Sequence, residues 1–111
     1  MKKLLIVVVL IVFTSISKGQ SPVADHLAHK LANAMRDSLS LNRAQRDQLY
    51  TINIQLHNEK TLARTQFQNR DSIGKKIQLI ENNRDLLYKV VLSGDEYLLY
   101  RKKKKNIMKN N

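Results

Sequence analysis

Cysteine and tryptophan are absent from the 111-residue chain, proline occurs once and glycine three times. Without cysteine there is no structural disulfide, no thiolate-held zinc or redox centre, no thiol nucleophile and no lipid anchor on an N-terminal cysteine. Acidic residues are scarce too: nine Asp and Glu stand against twenty Lys and Arg, a formal net charge of +11. The length limits the chain to one small domain and removes most multi-domain enzyme architectures. Apolar runs of membrane-spanning length are also missing. What is present is a small, basic, helix-prone chain.

Its one long apolar run is Leu4 to Phe13, preceded by Met1-Lys2-Lys3 and followed by the small and polar residues Thr14 to Gly19. These are the three parts of a secretory signal peptide. A spanning helix needs about 20 apolar residues, and this run breaks at Thr14, Ser15 and Ser17. Residues 1–19 are therefore expected to be a signal peptide, cut between Gly19 and Gln20, which places the mature protein in the periplasm or outside the cell. The absence of disulfides in such a compartment leaves packing alone to hold the domain together. Without Lys2, Lys3 and Lys18 the mature charge is +8, and residues 101–111 contribute +6 of it. The body, residues 20–100, is nearly balanced.

No proline and only Gly74 interrupt the stretch between Val23 and Ser93, and no sustained apolar/polar alternation marks a strand. Four helices are expected, giving an all-α fold. The first runs from about Ala24 to Leu39, with Leu27, Leu31, Ala34, Met35 and Leu39 at helical spacing. The second begins at Arg43 and extends to about Gln68, with Gln45, Leu49, Ile52, Leu56, Ala63 and Phe67 in a narrow arc; its length is roughly 39 Å. The third covers about Ser72 to Leu92. Ile73, Ile77, Ile80, Leu87 and Val91 form its stripe, and Leu79, Leu86, Tyr88 and Val90 widen the apolar arc beyond half the circumference. One packing partner requires a stripe of about 100°, so this helix needs two neighbours or a ligand. The fourth runs from Gly94 toward Met108 and dissolves into lysines. At Asn69-Arg70-Asp71 either a single helix continues or an antiparallel hairpin turns, with Asp71 capping the third helix; the hairpin, pairing Leu56 with Asn83 and Ile52 with Leu87, is the preferred reading.

Two segments are alike: Leu41-Asn42-Arg43-Ala44-Gln45 and Leu92-Ser93-Gly94-Asp95-Glu96. Each places Gln or Glu three residues after an N-cap residue, the arrangement of a capping box. Coming before the second and fourth helices of an exported chain, the pair resembles the L-T-x-x-Q motifs of the Spy/CpxP family of periplasmic proteins. Leu41 and Gln45 match the first copy, with Asn42 for Thr; Leu92 matches the second, with Ser93 for Thr and Glu96 for Gln. Tyr97-Leu98-Leu99-Tyr100 is similar to the aromatic segment that follows in compact relatives. The resemblance implies a hairpin-like protomer with short flanking helices, paired into a cradle-shaped homodimer. It also implies either an ATP-independent chaperone that holds unfolding clients or a regulator that restrains an envelope sensor protein.

Tyr50, Ile54 and Leu62 lie off the main stripe of the second helix, facing helices one and four, a dimer mate or a client. Lys76 and Arg84 project into the apolar arc of the third helix. Either their stems pack while their charges reach solvent, or they pair with Glu59 or contact acidic clients. These five residues are the candidate partner-binding set. His26 and His29 are three apart beside Asp25, too few ligands for a convincing metal site; a metal-responsive sensor is the third functional reading, and no metal or cofactor is expected. His57 is isolated. No phosphate loop or nucleophile elbow is present, and Ser38, Ser40, Ser72 and Ser93 read as helix-end residues, so no catalytic residue and no enzyme is expected. The basic run Arg101, Lys102, Lys103, Lys104 and Lys105 has as its default a solvated, frayed tail. The alternative function is attachment of that tail to an anionic membrane or polymer. Export makes nucleic acid an unsuitable partner for it.

Overall fold

The computed structural model describes residues 22–109. The expected signal peptide, its cleavage site and the last two asparagines lie outside them. Within them the protein is all-α: α1 Pro22–Leu39, α2 Arg43–Gln66, α3 Arg70–Val91 and α4 Gly94–Lys109.

The helix ends follow from local chemistry. Pro22 begins α1, where its missing N–H and fixed φ do no harm. At the other end Ser40 takes a left-handed φ of 54°, and the Leu41 N–H reaches back to Arg36 O at 3.1 Å, closing a Schellman-type turn. The α2–α3 connection is a break between two helices. Phe67 turns extended after Gln66, ending α2 two residues before the expected position, and its N–H bonds Ala63 O. Asn69, not Asp71, caps α3: its side chain accepts the Asp71 N–H at 2.8 Å. Asn69 stands in extended backbone just ahead of the first turn, where its side chain meets the Asp71 N–H, whereas Asp71 already lies inside that turn.

α2 and α3 run antiparallel, since Asn53 contacts Tyr88 while Lys60, further along, contacts Glu81, further back. Around the bundle α1 packs on α2, α2 on α3, α4 on α1, and α3 lightly on α4. The main core joins Leu31, Met35 and Leu39 of α1, Leu49, Ile52 and Leu56 of α2, Ile80 and Tyr88 of α3, and Tyr100 and Ile107 of α4. Each fully buried large side chain contributes about 2 kcal/mol. A second cluster unites Ala24, Ala28 and Ile54, with Tyr50 against it. Ala24, Ala28 and Ala32, one turn apart, give α1 a small-residue stripe, so its inner face is rotated from the expected one and Leu27 is left partly exposed.

The C-terminal run corrects the expectation of a frayed tail. α4 continues through all five successive basic residues to Lys109. Tyr100 is fully buried and Ile107 is 4% exposed. Packing at these two positions, with Asp85 of α3 pairing both Arg101 and Lys104, outweighs the like-charge repulsion.

Candidate functional site

The two cap motifs fold into one joint. At α2 the Gln45 N–H donates to Asn42 Oδ1 at 2.8 Å, and the Asn42 N–H donates to Gln45 Oε1 at 3.1 Å. At α4 the Glu96 N–H donates to Ser93 Oγ at 3.2 Å and the Ser93 N–H to Glu96 Oε1 at 2.8 Å. Gln45 then connects them, its Nε2 donating to Glu96 Oε1 at 2.7 Å and to Val91 O at 3.3 Å. Leu41 and Leu92, which open the two motifs, are both in the core. The Ser93 backbone N–H and the Gln45 amide hold the Glu96 carboxyl below its ordinary range.

Asn53 is the hub of the interior. Its Nδ2 donates to Ala28 O of α1 at 3.2 Å, and its Oδ1 accepts from Arg84 at 3.2 Å and from the Tyr88 hydroxyl, so one amide ties three helices. Arg84, 7% exposed, also donates to Tyr88 at 2.8 Å and to Glu81 at 2.8 Å. Lys60 completes the group with an ion pair to Glu81. Burial would raise the Glu81 carboxyl, but the hydrogen bonds from Arg84 and Lys60 outweigh it and hold it at about 2. Burial pushes the Tyr88 phenol up to about 12 despite the adjacent Arg84.

Asp85 anchors α4. It accepts from Tyr100 at 2.7 Å, Arg101 at 2.6 Å and Lys104 at 2.8 Å. Partial burial would raise this carboxyl, yet the hydrogen bonds from Lys104 and Tyr100 hold it below its usual range. Lys103 donates to Ser38 O at the end of α1. Three of the five residues in the basic run, Arg101, Lys103 and Lys104, are thus occupied by the fold, and Lys102 and Lys105 are exposed.

The candidate partner-binding residues separate. Ile54 is 3% exposed against Ala24 and Ala28, and Arg84 is interior; neither faces a partner. Arg84 pairs with Glu81 of its own helix and not with Glu59, since position 84 faces Asn53. Tyr50 is half-buried, its hydroxyl donating to Asp25 and its ring stacked on His29 at 4.0 Å. Burial and the Asp25 carboxylate raise its phenol to about 12. Leu62 and Lys76 are exposed.

Those last two lie on an arm. Beyond the Lys60–Glu81 bridge, residues 61–79 of the hairpin contain one buried residue, Ala63. Leu62, Phe67 and Leu79 are 55%, 38% and 63% exposed there, and Gly74 has open space around it. Phe67, on the expected stripe of α2, and Leu79, on the widened arc of α3 for which a second neighbour or a ligand is expected, stay exposed because no other helix reaches this far along the hairpin.

Among the described residues no group of three or more His, Cys, Asp or Glu could hold a metal ion, and no helix is long and apolar enough to cross a membrane. Arg46 approaches His29 Nδ1 at 2.6 Å, so that nitrogen acts as acceptor in the fold. No family model matches the chain, and no match is found among curated proteins or solved structures.

Proposed function

We propose that this is an exported, ATP-independent binding protein that holds unfolding polypeptides on the distal arm of its α2–α3 hairpin. It acts in the manner of the Spy/CpxP family, as a homodimer. The observation that carries the reading is the arm itself: from residue 61 to 79 an antiparallel helix pair displays Leu62, Phe67 and Leu79 to solvent, with Lys75 and Lys76 beside them. Exposed apolar side chains gathered on one element of a monomer mark an interaction surface. Cations at the rim favour clients with acidic flanks and speed encounter.

The paired caps support the family reading. They sit before α2 and α4, and the Gln45–Glu96 bond at 2.7 Å closes the end of the molecule opposite the arm. A rigid base with a free arm suits a protein that captures without a chemical step. Restraint of an envelope sensor would use the same arm, with one folded partner in place of many clients.

The test is suppression of aggregation of an unfolding model client without ATP by the chain from Gln20, with sedimentation in the same buffer reporting the dimer. Loss of suppression on Lys75→Gln and Lys76→Gln is the expected response of the cationic rim.

A further inference from the structure

The face where α3 meets α4 differs from the arm in its charge and in its row of apolar residues. Residues 70–109 carry eleven basic and five acidic side chains, a net +6, whereas residues 22–69 carry +2. Most of the carboxylates in the α3–α4 half are turned into the fold: Glu81 to Lys60 and Arg84, Asp85 to Tyr100, Arg101 and Lys104, Glu96 to its cap. Asp71 pairs with Lys75 at the far end, and Asp95 is exposed at the turn. Lys89, Lys102 and Lys105 are exposed and make no ion pair among the described residues; Lys89 lies 5.6 Å from the Tyr97 ring centroid. Beside them Leu86 is 63% exposed, Val90 84% and Leu98 69%. Leu86 and Val90 are one helical turn apart on α3, and Leu98 lines the same concavity as Lys89 at the α3–α4 turn.

We infer that this face binds the surface of an anionic lipid bilayer, with Leu86, Val90 and Leu98 entering the headgroup region and Lys89, Lys102 and Lys105 meeting lipid phosphates. Apolar residues flanked by lysines are the pattern of an interfacial helix. The positive rim selects the partner: a second copy of this chain brings the same positive charge, while an anionic surface complements it. A bound peptide helix needs a groove, and Leu86 and Val90 are not among the residues that line the concavity at the turn. A bilayer needs none. The site uses folded α4 side chains, not a loose tail, and is separate from the client-holding arm.

The experiment is flotation of the chain from Gln20, which contains all four helices, with vesicles of phosphatidylcholine alone or mixed with phosphatidylglycerol. Binding is expected to the anionic vesicles only, weakening as salt rises. Each of Lys102→Gln and Lys105→Gln is expected to weaken it about fivefold, and Leu86→Asp about tenfold or more. Circular dichroism checks that these exposed substitutions leave the helices intact. Absence of binding to anionic vesicles, or equal binding by the Leu86→Asp variant, overturns the inference. So does a Leu86→Asp variant that loses client suppression or dimerisation while still floating, which assigns the face to polypeptide. Arm variants that lose client suppression but still float leave the lipid surface standing, so the two functions fail separately.

Discussion

The Gln45 amide donates to Glu96 Oε1 at 2.7 Å across 51 positions of sequence. Each residue already completes its own helix cap, so this bond makes two local motifs into one tertiary joint. Replacing Gln45 by Ala removes the reach-back to Asn42 and the link to Glu96 together, at an expected cost of about 1–2 kcal/mol. A double-mutant cycle with Glu96→Gln, read by urea unfolding, should return a coupling of about 0.5–1.5 kcal/mol. Gln45→Glu sets two carboxylates together and should destabilise more at pH 7 than at pH 4.

Acid should weaken the bundle through Glu81. Its folded carboxyl sits at about 2 against an ordinary 4.5, so the folded state binds the proton less tightly than the unfolded state. The resulting stability is present above pH 4.5 and is lost as pH falls toward 2. Glu81 is a third exposed, which reduces the effect to about 1–2 kcal/mol. Asp85 shifts in the same direction and adds to it. Urea melts at pH 7, 4.5 and 3 should show the decline, with a shallower slope in Glu81→Gln. At the alkaline end the sign reverses: Tyr88 is held protonated up to about 12, so stability falls as pH rises from 10 through that value.

The interior polar group makes its own prediction. Arg84→Ala removes the hydrogen bonds that Arg84 donates to Asn53, Tyr88 and Glu81, leaves a cavity in their place and should cost about 3–5 kcal/mol. Arg84→Met fills the space and leaves Glu81 paired with Lys60, so about 1–2 kcal/mol is expected. For a domain of this size each kcal/mol lowers Tm by about 4–8 °C, which thermal unfolding by circular dichroism resolves.

Ending the chain after Tyr100 should cost about 3 kcal/mol or more, because Ile107 leaves the core and Asp85 loses Arg101 and Lys104. Lys102→Gln and Lys105→Gln should change stability by no more than about 0.5 kcal/mol. Thermal melts of the three variants distinguish a structural helix from a dispensable tail. Function of the basic residues is accordingly read from the point substitutions and not from the deletion.

The helical class follows from the near absence of breakers, and the positions of α1 to α4 from spacing. The Asn42 and Ser93 caps are legible because their chemistry is local, a side chain and a backbone N–H three residues apart. The polar group that joins Arg84 and Tyr88 to Asn53 was not, since a polar atom enters a core only when another helix supplies its partner, here Asn53. One signal was available: Asn53 lies between Ile52 and Ile54 on the packed side of α2. The end of the chain misled for the same reason. A lysine run reads as disordered until Asp85, sixteen residues before Arg101, is brought under it. At the candidate site, Leu62 and Lys76 remain available to a partner because the hairpin outreaches its neighbours, whereas Ile54 and Arg84 are taken up by α1 and α2.

The central claim, capture of unfolding polypeptide on the hairpin arm, is tested most directly by light scattering of a model client diluted from denaturant. The wild-type chain from Gln20 and a Leu62→Asp, Leu79→Asp double variant are compared without ATP. Both positions are exposed, so the variant should keep its helical circular dichroism. The wild type is predicted to slow aggregation at molar ratios near one, and the variant to need about tenfold more protein for the same effect. Unchanged client aggregation at a molar excess of wild type, or equal protection by the variant, would contradict the account.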